Sequence, residues 1–142
     1  MERKLRYRQK INFIAEKISD IPRNPDNALA IDAALYRIQT AIDACIDIVA
    51  MLLKDKGREV TDDYGNIHKL LELNVLDKKL SDGLAMLNGL RNAIVHKYNT
   101  FEEETVINSI NNIKDIIERF LDVVENELKT IFKGNKKGPK RT

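Results

Sequence analysis

Ala41-Ile42-Asp43-Ala44-Cys45-Ile46-Asp47-Ile48-Val49-Ala50-Met51-Leu52-Leu53 is the most apolar stretch of the chain. It belongs to a longer stripe, Ile31, Leu35, Ile38, Ile42, Cys45, Val49 and Leu52, whose spacing of three and four residues is that of one helix face. The stretch is too short to span a bilayer and carries two acids, so it predicts a long helix in a soluble core. That helix is expected to start at Asn24-Pro25-Asp26, with Asn as cap and Pro in the first turn, and to end near Gly57.

The rest of the chain repeats this pattern. Tyr7, Ile11, Ile14, Ile18 and Ile21 form an earlier stripe that Pro22 closes. Thr61 to Asp63 can cap a short helix running to about Asn74. Asp77 opens another, with Leu80, Leu84, Leu87, Leu90 and Ile94 on its apolar side, broken at Asn99-Thr100. Thr100 and Glu103 fit a capping box for a last helix, which carries Val106, Ile110, Ile113, Ile117, Phe120, Val124, Leu128 and Ile131 and stops at Gly134. No segment of useful length alternates with period two. The expected fold is all-α: an antiparallel up-and-down bundle of four long helices and one short one, filling residues 1–133 as one domain. Residues 134–142 form a basic tail, expected to be disordered.

Composition narrows the class. Hydrophobic residues make up 43% and charged residues 32%, which suits a soluble globular chain. The single cysteine, Cys45, excludes an intrachain disulfide and is expected to be buried. The N-terminus has no apolar run behind it, so neither a signal peptide nor a membrane role is expected, and the expected location is the cytoplasm. The formal net charge is +2; without the five cations Lys133, Lys136, Lys137, Lys140 and Arg141 it falls to −3. Nucleic-acid contact must therefore come from local patches, such as Arg3, Lys4, Arg6, Arg8 and Lys10, or from the tail.

The chemistry concentrates in Arg91-Asn92-Ala93-Ile94-Val95-His96-Lys97-Tyr98. Arginine is an obligate cation that grips phosphate, and histidine is the side chain whose ordinary pKa suits proton transfer near neutrality. Together they suffice to cleave RNA without a metal: the 2′-hydroxyl attacks the adjacent phosphate, which needs a base, an acid and positive charge for the phosphorane. Spacing alone leaves open a plainer reading, a solvated helix end. His68, the only other histidine, has no arginine companion and is expected at the surface. Asp43 and Asp47 lie opposite the apolar stripe of their helix; they are expected to be a solvated face, though they could orient Arg91 or His96. No metal site, glycine-rich phosphate loop, Ser/His/Asp set or Cys/His cluster is expected.

The run R-x4-H-x-Y, with Ala44-Cys45-Ile46-Asp47-Ile48 and the layout from Leu84 onward, resembles the HepT-like toxins of the HEPN ribonuclease superfamily over most of residues 1–132. The resemblance implies the toxin component of a type II toxin–antitoxin system, a metal-independent endoribonuclease without cofactor. It implies a homodimer with its cleft at the subunit interface, an RNA substrate, and neutralisation through adenylylation by an MNT-type nucleotidyltransferase antitoxin. Carried over by position, Arg91 and His96 would be catalytic, Asn92 supporting, and Tyr98 the tyrosine that receives AMP. The alternative is a non-catalytic HEPN helical module that binds a nucleotide or a partner nucleotidyltransferase. Ala85 and Gly89 beside the motif would let a second helix approach closely.

Overall fold

The computed structural model describes residues 2–96 and 103–133. Within them are six helices and no strand: α1 (Glu2–Ser19), α2 (Ala28–Asp55), α3 (Asp63–Glu72), α4 (Lys78–His96), α5 (Glu103–Asn108) and α6 (Ile110–Ile131). The expected last helix is thus two, α5 and α6, parted at Ser109. The Ser109 hydroxyl bonds back to the Thr105 carbonyl at 2.9 Å, and the side chain makes no cap hydrogen bond for α6. A serine hydroxyl that competes for backbone groups weakens a helix where it sits. The Thr100 half of the expected capping box, the Asn99-Thr100 break and Gly134 lie outside the described residues.

The start of α2 also differs from expectation. Asn27, not Asn24, is the cap: its backbone is extended and its side-chain oxygen accepts from the Ala30 N–H at 2.8 Å. Both asparagines are suitable caps, but Pro25 is buried in the connection and the helix opens only beyond it. At the other end the expectation holds. Lys56 caps α2 and Gly57 takes φ +75°, the left-handed conformation that glycine adopts cheaply. Asp62 caps α3 and Asp77 accepts from Leu80 N–H at the start of α4.

α2 is the axis of the molecule, with α1, α3, α4 and α6 all packed against it. Ile38, Ile42, Cys45, Val49 and Leu52 of the stripe are fully buried, and so are Ala34, Ala41, Ile48 and Leu53 to its sides. Burial pushes the Cys45 thiol far up, which keeps it protonated and inert. α4 comes close to α6 at Gly83, where a Cβ would meet the Ile116 side chain at 3.2 Å.

Polar latches close the bundle. At one end Tyr7, buried, donates to Asp55 at 2.7 Å and meets the Phe132 ring edge-on, while Arg3 pairs with Asp55 at 2.8 Å. Burial and the Asp55 carboxylate push the Tyr7 phenol well up. Arg8 makes a two-pronged pair with Glu125 at 2.6 Å per bond, joining α1 to α6. Lys114 donates to the Ile21 carbonyl at 2.7 Å. Buried Asn66 holds the strap before α3 by accepting from the Thr61 N–H at 2.7 Å and donating to its carbonyl at 3.3 Å.

Two outcomes follow from these latches. Asn66→Ala removes the strap's anchor and should cost about 1–2 kcal/mol, seen as a lower urea midpoint with an unchanged slope. The Arg8 guanidinium holds the Glu125 carboxyl below its ordinary range. A depressed folded-state pKa contributes stability above the unfolded value, lost as pH falls through the folded one. The Glu125 carboxyl should therefore titrate below the ordinary glutamate range by NMR, and Arg8→Ala should move its midpoint upward.

Candidate active site at the end of α4

Arg91 lies on the fourth turn of α4, half-buried against α2. Its Nε donates to Asp43 Oδ1, and its Nη1 donates to the Asn92 side-chain oxygen at 2.8 Å. The expectation of a solvated face at Asp43 is overturned. α2 is packed on so many sides that the flank away from its main stripe still faces a neighbouring helix. A carboxylate there is partly screened from water and gains from a cation, which Arg91 provides. Asp47, one turn on, is more exposed and pairs with Lys10 of α1 at 3.1 Å.

Beside this pair is a cavity of about 360 Å³ lined by Asp43, Ile46, Asp47, Asp63, Asn88 and Arg91. Asn88 is 1% exposed, and its side-chain oxygen has no hydrogen-bond partner among the described residues. A buried, unsatisfied amide oxygen is uncommon and costly, and it is often found beside functional sites. Asn88 drew no notice in the sequence. Its signal was there: it stands three residues before Arg91 and on the apolar flank of α4, where an amide is out of place.

The histidine is placed differently. His96 is the last residue of α4, exposed at the helix end and outside the lining of the Arg91 cavity. Five helical residues carry it about 7.5 Å along and about 140° around from Arg91. A single chain therefore shows Arg91 and His96 on different sides of α4, while Asn92 is bonded directly to Arg91. Tyr98 lies outside the described residues. His68 is exposed, as expected, and pairs with Glu72 at 3.3 Å. Gly89 is half-buried on α4. The Tyr64 hydroxyl of α3 lies 3.4 Å from where its Cβ would be.

No helix among the described residues is long and apolar enough to cross a membrane, and no three of their His, Cys, Asp or Glu side chains group to hold a metal ion.

Residues 8–124 match the family model described as ribonuclease HepT-like, and the chain belongs to this family. A protein of Archaeoglobus fulgidus whose name proposes an RNase is 40% identical over 129 residues, covering 91% of this chain and 98% of its own length. The mRNA nuclease HepT of Shewanella oneidensis is 28% identical over 97 residues, 68% of this chain and 73% of that protein. Among solved structures, a toxin–antitoxin pair with AMP-PNP superposes with a TM-score of 0.76 at 24% identity, covering 83% of this chain and 96% of the other. The tri-AMPylated HEPN toxin of Shewanella oneidensis, in complex with an MNT antitoxin, gives 0.69 at 22% identity, covering 88% and 95%. At these identities the structures speak for the fold, which is HEPN-like.

The Asp43–Arg91 geometry can be checked without reference to activity. Asp43→Asn should leave helix content unchanged by circular dichroism. It should also broaden or shift the Arg91 Nε–H resonance, because the charge that orients the guanidinium is gone.

Proposed function

We propose that this chain is a metal-independent endoribonuclease, the toxin half of a toxin–antitoxin pair. The observation that carries the reading is the Arg91 guanidinium: half-buried, held by Asp43 and Asn92, and lining a cavity. A cation fixed in this way can meet the charge that develops on a phosphorane without reorganising. The names of relatives covering most of the chain, an RNase and an mRNA nuclease, point to the same chemistry.

In the proposed reaction the RNA 2′-hydroxyl attacks the adjacent phosphorus and the 5′-oxygen leaves. His96 takes or returns the proton, and Arg91 stabilises the charged intermediate. The wide angle between the two side chains on α4 favours a site shared by two copies of the chain. A two-fold axis beside the end of α4 would set the His96 of each copy near the other's Arg91. Val95, 41% exposed beside His96, is apolar surface that such contact would cover.

Control is assigned to Tyr98. A partner nucleotidyltransferase would transfer AMP from ATP to its hydroxyl, releasing pyrophosphate and leaving a phosphodiester anion two residues from His96. That anion would compete with RNA for Arg91. The HEPN toxin superposed here at 22% identity is itself AMPylated and bound to an MNT antitoxin.

His96→Ala and Arg91→Ala should each abolish cleavage of RNA by the purified protein, and Arg91→Lys should be poor because a point charge lacks the guanidinium fork. EDTA should not inhibit. Asp43→Asn should lower turnover about 10- to 100-fold by loosening Arg91. Undiminished cleavage by His96→Ala would overturn the mechanism, and an active species with the mass of one chain would overturn the shared site. Tyr98→Phe should stay active yet gain no AMP mass when incubated with ATP, magnesium and the partner enzyme.

A further inference from the structure

The outer faces of α1 and α2 form a groove that the proposed reaction does not use. Arg3, Arg6, Lys10, Phe13 and Lys17 are spaced three and four residues apart along α1. Such spacing sets them on one line, about 21 Å from end to end. Two cavities follow that line. One of about 520 Å³ lies between Arg6, Lys10 and Phe13 on the α1 side and Thr40, Asp43 and Asp47 on the α2 side. The other, of about 320 Å³, takes Arg3 and Arg6 from α1 and Lys54 from α2. Arg6 is common to both, and Asp43 and Asp47 are common to the first and to the cavity of Arg91. The three cavities therefore adjoin one another from the first turn of α1 to Arg91.

Asp43, Asp47 and Asp55 are each already paired, with Arg91, Lys10 and Arg3. Arg6, Lys17 and Lys54 have no carboxylate partner among the described residues, so the groove is cationic. Phe13 is 40% and Tyr36 58% exposed, and the Lys17 ammonium stands 5.2 Å from one ring centre and 5.8 Å from the other. Two exposed rings bracketing a cation offer π-faces and charge in one place. That combination suits an anionic polymer with flat, unpaired bases. It suits a protein partner less, since lysines without carboxylate partners, such as Lys17 and Lys54, are disfavoured at the core of a protein interface.

We infer that the α1–α2 groove is the track by which single-stranded RNA reaches Arg91, with phosphates on Arg6 and Lys54 and a base stacked at Phe13 and Tyr36. The inference rests on the ribonuclease reading but is tested by binding rather than by cleavage. The full chain carrying His96→Ala, so that the strand stays intact, is titrated against a fluorescein-labelled oligouridine at several salt concentrations. Arg6→Ala with Lys54→Ala should weaken binding at least tenfold and flatten the log–log salt slope by about 1.4, two phosphate contacts' worth. Phe13→Ala should weaken binding at least fivefold with the slope unchanged. Arg119→Ala, on α6, should change neither. Circular dichroism and sedimentation of each variant report fold and association. Groove variants that keep full RNA affinity overturn the track, as does a parent protein that binds no RNA. Variants that keep RNA affinity but lose self-association, or lose the nucleotidyltransferase partner, make the groove a protein interface instead. Wild-type protein that binds RNA through the groove yet leaves it uncut overturns the ribonuclease reading and leaves the track standing.

Discussion

α2 is enclosed by four other helices, and this enclosure governs the polar chemistry of the whole molecule. A charge on the covered part of such a helix is costly unless it is paired. Yet α2 carries Asp43, Asp47 and Asp55, and each is answered by a group from a neighbouring helix. Asp43 takes Arg91 from α4, Asp47 takes Lys10 from α1, and Asp55 takes Arg3 and the Tyr7 hydroxyl from the start of α1. The carboxylates thus fix how α1 and α4 sit against the axis, in addition to the apolar packing that holds them there.

The Asp43–Arg91 pair has the most consequence. A lone arginine on the rim of a helix end would sample many rotamers and face water. Held by a carboxylate on one nitrogen and by Asn92 on another, it presents its guanidinium to a cavity in a set direction. Pre-set geometry of this kind is what electrostatic stabilisation of a charged intermediate requires, because the cost of orienting the group is met during folding. The orphaned Asn88 oxygen at the same cavity fits this pattern: a polar group buried at a cost, next to the arginine.

The same carboxylates link the site to the α1–α2 groove. Asp43 and Asp47 form a shared wall between the Arg91 cavity and the cavity under Arg6, Lys10 and Phe13. Because both acids are paired, this wall does not repel a polyanion as strongly as its residue types suggest. The cations of α1, scattered in a chain of only +2 overall, become a directional feature once α2 lines them up against a second wall.

The apolar spacing by itself determined the helices and most of the core. Ile38, Ile42, Cys45, Val49 and Leu52, and Tyr7, Ile11, Ile14 and Ile18, are buried as their three- and four-residue intervals require. Of the R-x4-H-x-Y run, Arg91 lines a cavity and His96 lies outside it, and the family match of the chain spans residues 8–124. Three matters were decided only by the tertiary structure. One is which of two equally suitable asparagines caps α2, since cap chemistry does not distinguish Asn24 from Asn27 but the path of the buried Pro25 does. Another is the division of the last helix at Ser109, where an apolar pattern continues across a local break. The third is the partner of Asp43. Periodicity sorts one helix into a buried and an exposed side, but it cannot show that another helix will cover part of the side it leaves exposed. Arg91 and Asp43 are 48 residues apart in the chain, and only the packing of α4 on α2 brings them together.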